Sequence, residues 1–305
     1  MSGALRKRAA RWQHLVAALD PTVKGMLWAI LAGLLFCQLN VLMRLMATAL
    51  NPFETQFLRY FFGVVVLLPL LLRGGLAAYR PQRIGGQFAR GAVHTLGLLL
   101  WFAALPNTPL ADLTALGFTT PIFILIGSRL MFGEPMRWDR WLAVMIGFAG
   151  VLVVVAPALS GSGGIYHLMM LASAPVFAVS MLLSKSLTRH ERIEVIVVWQ
   201  SITVTIFSLP LALLHWQTPT PGQWLVFLLC GLIGSAGHYC LTRSFVAIEL
   251  SATQSVRFLD LVWAALMGWL VFADVPTQST LIGGLVIAAS TIWITRREAR
   301  GRARR

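Results

Sequence analysis

The chain has 305 residues, of which 57% are hydrophobic and 12% are charged. Soluble domains carry about 25% charged residues because a water-facing surface requires them. With a mean hydropathy of +0.75, the composition excludes a soluble domain and a disordered chain. Three cysteines, all in apolar runs, are too few for a secreted disulfide scaffold. The composition therefore indicates an integral membrane protein.

Ten apolar runs follow one another along the chain, each long enough to cross a hydrocarbon core about 30 Å thick. They cover residues 25–45, 53–72, 86–105, 110–132, 139–157, 165–185, 195–214, 223–243, 251–272 and 279–295. Proline, glycine and charged residues separate nearly all of them, as at Asn51-Pro52. The pattern predicts an all-α integral membrane fold with ten transmembrane helices, preceded by a basic segment at 1–24 and followed by a basic tail at 296–305.

The positions of Lys and Arg predict the orientation. The N-terminal segment and the gaps after spans 2, 4, 6 and 8 contain arginines, whereas the gaps after spans 3, 5, 7 and 9 contain no Lys or Arg. Only Arg44, near the end of span 1, departs from this alternation. Cytoplasmic loops are enriched in these residues, so both termini are predicted to be cytoplasmic. This placement also argues against nucleic acid as the partner of a chain with a net charge of +14.

Similar segments recur in the two halves of the chain. The segment 132–135 (Phe-Gly-Glu-Pro) aligns with 272–276 (Phe-Ala-Asp-Val-Pro), and the same offset pairs Phe118 with Phe258. The sequence thus predicts two repeats of five spans, 25–157 and 165–295. Because five crossings leave the chain on the far side of the membrane, the repeats are expected to be inverted, with a substrate site near the midplane between them.

Several motifs, in order and at matching spacing, resemble the drug/metabolite transporter superfamily and its ten-span EamA family from about Leu27 to Arg296. They are the acids that close the fourth span of each half (Glu134 and Asp274), Arg59 within 57–62, Thr120-Pro121, the segment 138–148 and the segment 257–261. The last three are most similar to the subgroup of S-adenosylmethionine and riboflavin carriers. Asp274 departs from the family pattern, which more often has Glu.

The resemblance implies a secondary transporter in the bacterial inner membrane that moves a small organic metabolite by alternating access, in contact with membrane lipid and without a cofactor. It ranks riboflavin or S-adenosylmethionine uptake first, with a flat aromatic or cationic substrate. Export of amino acids, drugs or other metabolites on the same fold is the alternative. The resemblance does not decide between a monomer and a homodimer.

Charged residues inside predicted spans are the first candidates for the site, since each costs about 2.5–3.5 kcal/mol at the centre of a membrane helix. Arg59 lies in span 2, and Arg257 and Asp260 lie three residues apart on one face of span 9. The last two either form a permanent pair or bind substrate or a proton. For Arg59 a substrate role competes with pairing to Glu54 or Asp112.

Histidine and aromatic residues within the spans are further candidates. His94 and His238 lie in equivalent spans and either couple transport to protons or serve as core residues. Aromatic rings can stack on a planar or cationic ligand. The candidates of this kind are Tyr60, Trp101, Phe118, Tyr239 and Phe258.

A membrane-embedded lipid enzyme and a metal centre are two alternatives to transport. A membrane-embedded lipid enzyme needs a nucleophile or an acid and His cluster at the membrane boundary, and the loops here are short and nearly free of such residues. The cysteines and histidines lack the spacing of a metal site, since Cys240 and His238 are only two residues apart. The sequence therefore predicts neither an enzyme nor a metal centre.

Overall fold

A computed structural model describes residues 20–108, 110–117, 119–134, 138–159, 164–257 and 259–273, with scattered positions between 278 and 293. Within these residues the chain is helical and contains no strand. The α-helices are α1 Pro21–Ala49, α2 Pro52–Gly74, α3 Ile84–Ala104, α4 Leu110–Gly117, α5 Thr120–Phe132, α6 Trp138–Leu159, α7 Gly164–Leu187, α8 Ile193–Leu214, α9 Pro221–Ala247, α10 Leu250–Arg257 and α11 Leu259–Phe272. Short 3-10 helices lie at Leu76–Tyr79 and Leu105–Asn107.

Side chains at the helix starts satisfy backbone N–H groups that have no partner within the helix. Asp20 accepts a hydrogen bond from the Thr22 N–H at 2.7 Å ahead of α1. At the start of α9, Thr220 and Gln223 form a reciprocal capping box, and Pro221 occupies the first turn. Helix α5 is followed by Gly133, which caps its C-terminal end with a left-handed backbone at φ 66°.

These helices confirm the prediction of an all-helical membrane protein. Six of them, among the described residues, are long and apolar enough to cross a membrane: Pro21–Ala49, Pro52–Gly74, Ile84–Asn107, Leu168–Leu187, Ile193–Leu214 and Pro221–Ala247. Shorter apolar helices occupy the positions of predicted spans 4, 5 and 9. Predicted span 10, at 279–295, lies largely outside the described residues.

The fourth predicted span differs from expectation, because it is not one continuous helix. Helix α4 ends at Gly117 and α5 begins at Thr120, with a turn at Thr119 between them. The Thr119 N–H donates to the Leu116 carbonyl at 3.2 Å. Pro121 follows in the first turn of α5, where its missing N–H is tolerated. The Thr120-Pro121 step therefore marks an interruption within this span.

Helices of the two halves pack mainly against each other. Helix α1 lies along α9, α3 lies along α7, and α2 lies along α8. Two further contacts, α2 with α9 and α3 with α8, complete the arrangement. The centre of the bundle is thus formed by helices from both halves.

The backbones of the two halves approach each other closely where α2 meets α9. A Cβ atom at Gly231 would lie 2.6 Å from the Phe62 carbonyl oxygen and 2.8 Å from the Gly63 nitrogen. Only a residue without a side chain permits backbones to pack this closely. Gly231 therefore determines the separation of these two helices.

Candidate functional site

A cavity of about 200 Å³ lies in the middle of the helical bundle. Helices α1, α2, α3, α4, α5, α7, α9, α10 and α11 all contribute to its wall. The polar and charged residues that line it are Asn40, Arg59, Arg90, His94, Thr120, Ser180, Ser184, His238, Arg257 and Asp260. Among the described residues, the cavity is where most of the side chains predicted for the site come together.

Arg257 and Asp260 form an ion pair on the wall of the cavity. The Arg257 Nε lies 3.5 Å from Asp260 Oδ2, and Arg257 Nη1 also contacts Met181 Sδ at 3.4 Å. A methyl group at Gly33 would overlap the Asp260 carboxylate, so α1 and α11 are close at this point. The single long contact is weaker than a bidentate Arg–carboxylate pair.

Arg59 lines the same cavity and is only 8% exposed. Its guanidinium lies over the Tyr60 ring, 4.5 Å from the ring centre. The suggested pairing with Glu54 is wrong, because Glu54 accepts a hydrogen bond from the Gln217 N–H at 2.9 Å and, within the described residues, forms no ion pair with Arg59. The side chain of Asp112 lies outside the described residues.

Tyr60 connects the two predicted histidines. Its hydroxyl lies 2.9 Å from His94 Nε2 and 3.4 Å from His238 Nε2. His94 Nδ1 contacts the Ser180 hydroxyl at 3.0 Å, and His238 Nε2 lies 3.3 Å from the Gln200 amide nitrogen. These five side chains form a hydrogen-bond chain that crosses α2, α3, α7, α8 and α9.

Arg90 supports this chain and was missed by the sequence analysis. It is 4% exposed and donates to the Gln200 Oε1 and, at 3.3 Å, to the Ile196 carbonyl. Its charge inside an apolar helix was the available sequence signal, but Arg90 lies near the predicted start of span 3 and was passed over.

The direction of the hydrogen-bond chain follows from its donors. Because arginine has only donors, Gln200 must present its oxygen to Arg90 and its NH₂ group to His238 Nε2. His238 Nε2 is then an acceptor, and its single lone pair is shared by the Gln200 NH₂ group and the Tyr60 hydroxyl, at 3.3 and 3.4 Å. In this arrangement Tyr60 accepts from His94 Nε2–H, so Arg90 favours one tautomer of each histidine through Gln200.

The remaining predicted site residues have different positions. Trp101 lines the cavity. Tyr239 is not among the residues that line it; its ring lies 6.4 Å from the Trp28 ring, and the Arg243 guanidinium lies 5.7 Å from it. Phe118 and Phe258 lie outside the described residues.

Lys185 and Glu134 form polar contacts near Ser184 and Phe245, which line the cavity. Lys185 donates to the carbonyl of Phe245 and, at 2.9 Å, to that of Ile248. Close by in the chain, Glu134 Oε1 accepts from the Leu250 N–H at 3.0 Å. The acid predicted from the family motif therefore links the end of α5 to the start of α10, in the other half.

Comparisons with known proteins identify the family of this fold and cavity. The EamA-like transporter family matches residues 23–156 and again residues 164–296. A riboflavin transporter from Rhizobium johnstonii is 35% identical over 93% of this chain and 95% of its own length. An S-adenosylmethionine uptake transporter from Rickettsia prowazekii is 27% identical over 91% of this chain and 94% of its own. A pseudopaline exporter from Pseudomonas aeruginosa is 29% identical over 91% and 98%, respectively.

A solved structure shares the fold. A protein crystal structure matches with a TM-score of 0.72 at 19% identity, over 90% of this chain and 97% of its own. This likeness supports the fold, and the two family matches, which cover most of the sequence, establish the family. The chain is a multi-pass membrane protein that belongs to the EamA-like transporter family.

Proposed function

We propose that the protein is a secondary transporter that carries a small organic metabolite through the central cavity by alternating access. The observation that carries the proposal is the cavity itself, where charged and polar side chains from both halves meet inside an apolar bundle. Charged side chains inside an apolar bundle need an opposite charge or a water-filled cavity. A substrate path provides that environment.

Two inverted repeats of five spans account for the architecture. Exchanging the halves converts the α1–α9 contact into the α7–α3 contact and the α2–α9 contact into the α8–α3 contact. Leu110 and Leu250 begin the equivalent helices α4 and α10, and Phe132 and Phe272 end the equivalent helices α5 and α11. A two-fold exchange of five-span units places them in opposite orientations in the membrane. This symmetry supports ten spans with both termini in the cytoplasm of a bacterial inner membrane.

Alternating access requires contacts that close one end of the cavity and can break. The Glu134 hydrogen bond is such a contact, because it joins α5 of one repeat to α10 of the other. The Lys185 hydrogen bonds tie α7 to the end of α9 within the second repeat, beside Ser184 and Phe245. Opening this end would separate α5 from α10. In the proposed orientation, these contacts form the cytoplasmic gate.

The ranking of substrates follows the relatives and the charges of the cavity. Transporters named for riboflavin and S-adenosylmethionine are both similar over nearly the whole chain. The described lining carries three arginines against one carboxylate, which disfavours a cationic substrate. We therefore rank a riboflavin-like solute above S-adenosylmethionine, and uptake above export. The similar pseudopaline exporter makes export the second candidate.

Transport by the purified protein in liposomes tests this proposal. Labelled riboflavin and S-adenosylmethionine are offered in turn, with and without an imposed pH gradient. We expect accumulation of riboflavin above that of protein-free vesicles, and a dependence on the gradient would identify proton coupling. An Arg59→Gln variant, at equal incorporation, should transport at a much lower rate. If no candidate solute, including exported metabolites, crosses under any gradient, the transporter proposal fails.

A further inference from the structure

Arg59 and Arg90 are two buried cations on the cavity wall without a carboxylate partner among the described residues. Arg59 contacts the Tyr60 ring, and Arg90 donates only to a backbone carbonyl and to the neutral amide of Gln200. The one described acid of the lining, Asp260, pairs with Arg257 instead. A buried charge without a counter-charge is unfavourable unless a bound group compensates it.

Arg90 keeps one donor outside the hydrogen-bond chain. The neutral side chains of the hydrogen-bond chain use their donors on one another, and the last of these contacts joins Gln200 to His238. The Arg90 Nε–H, by contrast, is buried and has no hydrogen-bond partner in the structure. Arg59 lies over the Tyr60 ring, whose hydroxyl contacts both histidines, and Arg90 bonds Gln200, which contacts His238, so each guanidinium group is one residue away from the histidine pair.

We infer that Arg59 and Arg90 form a subsite for an electron-rich acceptor group of the substrate, either a carboxylate or a pair of ring carbonyl oxygens, and that this subsite rejects a positively charged group. The inference rests on the proposed transport function and specifies its substrate class. A guanidinium group matches the two oxygens of a carboxylate because its N–H donors point in a fixed planar fork. Two separate guanidinium groups can each donate to one ring carbonyl oxygen. Gln200 and the Ile196 carbonyl hold the Arg90 fork in place.

Binding measurements on the purified full-length protein test the charge preference with a matched ligand pair. S-adenosylmethionine and S-adenosylhomocysteine differ by one methyl group and the positive sulfonium charge. We expect the uncharged thioether to bind about ten-fold more tightly, which corresponds to about 1.4 kcal/mol. In the Arg90→Gln and Arg59→Gln variants this preference should shrink, whereas a purely structural role would weaken both ligands equally.

Further ligands distinguish the two sources of acceptor oxygens. Methylthioadenosine lacks the amino-acid group of S-adenosylhomocysteine, its ammonium as well as its carboxylate, and lumiflavin keeps the ring carbonyls of riboflavin but lacks its side chain. Weaker binding of methylthioadenosine, with a smaller difference in the Arg59→Gln and Arg90→Gln variants, would identify the carboxylate, since a guanidinium group does not bind an ammonium group. Retained binding of lumiflavin would identify the ring carbonyls. Arg243→Gln is the control variant, because Arg243 lies against Trp28 and Tyr239 and is not among the residues that line the cavity.

Three results would overturn the inference. They are tighter binding of S-adenosylmethionine than of S-adenosylhomocysteine, an unchanged preference in properly folded Arg90→Gln and Arg59→Gln proteins, and no binding of any of these acceptor-bearing ligands at millimolar concentration. Arg90→Lys, which keeps the charge and loses the fork, separates charge from geometry if Arg90→Gln fails to fold. Liposome transport is measured separately, so the carrier proposal can stand when the subsite inference fails.

Discussion

The Tyr60 hydroxyl joins histidines from two helices at the centre of the protein. In the Tyr60→Phe variant, we expect the free energy of unfolding to fall by about 1–3 kcal/mol, because the buried His94 Nε2–H loses its acceptor. Thermal denaturation in detergent, followed by light scattering or intrinsic fluorescence, measures the change. Transport should also fall, since the histidines lose their fixed orientation.

Tyr239→Phe is the matched control for that substitution. Tyr239 also lies in a membrane helix, but it contacts Trp28 and Arg243 through its ring. We expect stability within about 0.5 kcal/mol of the parent protein. Equal losses in the two variants would contradict the bridging role of the Tyr60 hydroxyl.

The Arg257–Asp260 ion pair has either a purely structural role or a role in transport. We expect Arg257→Gln and Asp260→Asn each to lower transport at least about ten-fold, since both residues line the cavity and each change leaves a partly buried charge without its partner. The double substitution should restore stability but not transport, because both residues also line the cavity. Melting temperature and liposome uptake are compared for all three variants. Recovery of transport in the double variant would show a purely structural pair.

Arg90 illustrates what sequence reasoning can and cannot find at the level of residues. Arg59, His94, His238, Arg257 and Asp260 were chosen because polar groups are costly within apolar spans, and the structure places all five on one cavity. That selection does not test their roles. The partners that orient them could not be chosen, because which polar side chains meet depends on how the helices rotate and pack.

At the scale of elements, the contact between α2 and α9 depends on Gly231. We expect Gly231→Ala to destabilise the protein by about 1–3 kcal/mol or more, because the new methyl group would overlap the Phe62 backbone and force the helices apart. Gly222→Ala is the control on the same helix, since a Cβ atom there meets nothing within 4 Å. Denaturation midpoints of the purified variants should differ accordingly. A Gly231→Ala protein as stable as the control would show that this contact can relax.

Helix positions were more predictable than helix continuity. Apolar length and punctuating residues located the helices to within a few residues, because span length is set by the thickness of the bilayer. The turn at Thr119 was not predicted, although Thr120-Pro121 was noted as a family motif. A proline in a run of apolar residues fits either a continuous or an interrupted helix, and the packing around it decides between them.

At the scale of the whole molecule, the distribution of arginines leads to a labelling test of topology. Single cysteines at positions 83, 162, 189 and 221, in a protein with its three native cysteines replaced by alanine, are exposed to a membrane-impermeant thiol reagent on intact cells. We expect labelling at 162 and 221 only, since arginine-rich loops stay in the cytoplasm. Position 162 lies outside the described residues. Labelling at 83 or 189 in sealed cells would contradict the orientation and the inverted repeats.

The two-fold pattern of helix contacts was foreseeable in outline but not in detail. The recurrence of the 132–135 segment at 272–276 indicated two related halves. It did not indicate that α1, α2 and α3 would pack chiefly against the other half. Sequence periodicity indicates which face of a helix is buried. Which helix packs against that face depends on the shapes of both helix surfaces.

Cys37 gives the protein a native covalent reporter of cavity occupancy. The three cysteines are free and buried, but among the described residues that line the cavity Cys37 is the only one of them. A small uncharged maleimide that enters the cavity should therefore alkylate Cys37 first, and a bound solute should slow that reaction. Intact-mass measurements over time would then rank unlabelled solutes by the protection they give, and Cys37→Ala should abolish the protected signal. Equal alkylation rates with and without a transported solute would show that the solute binds elsewhere.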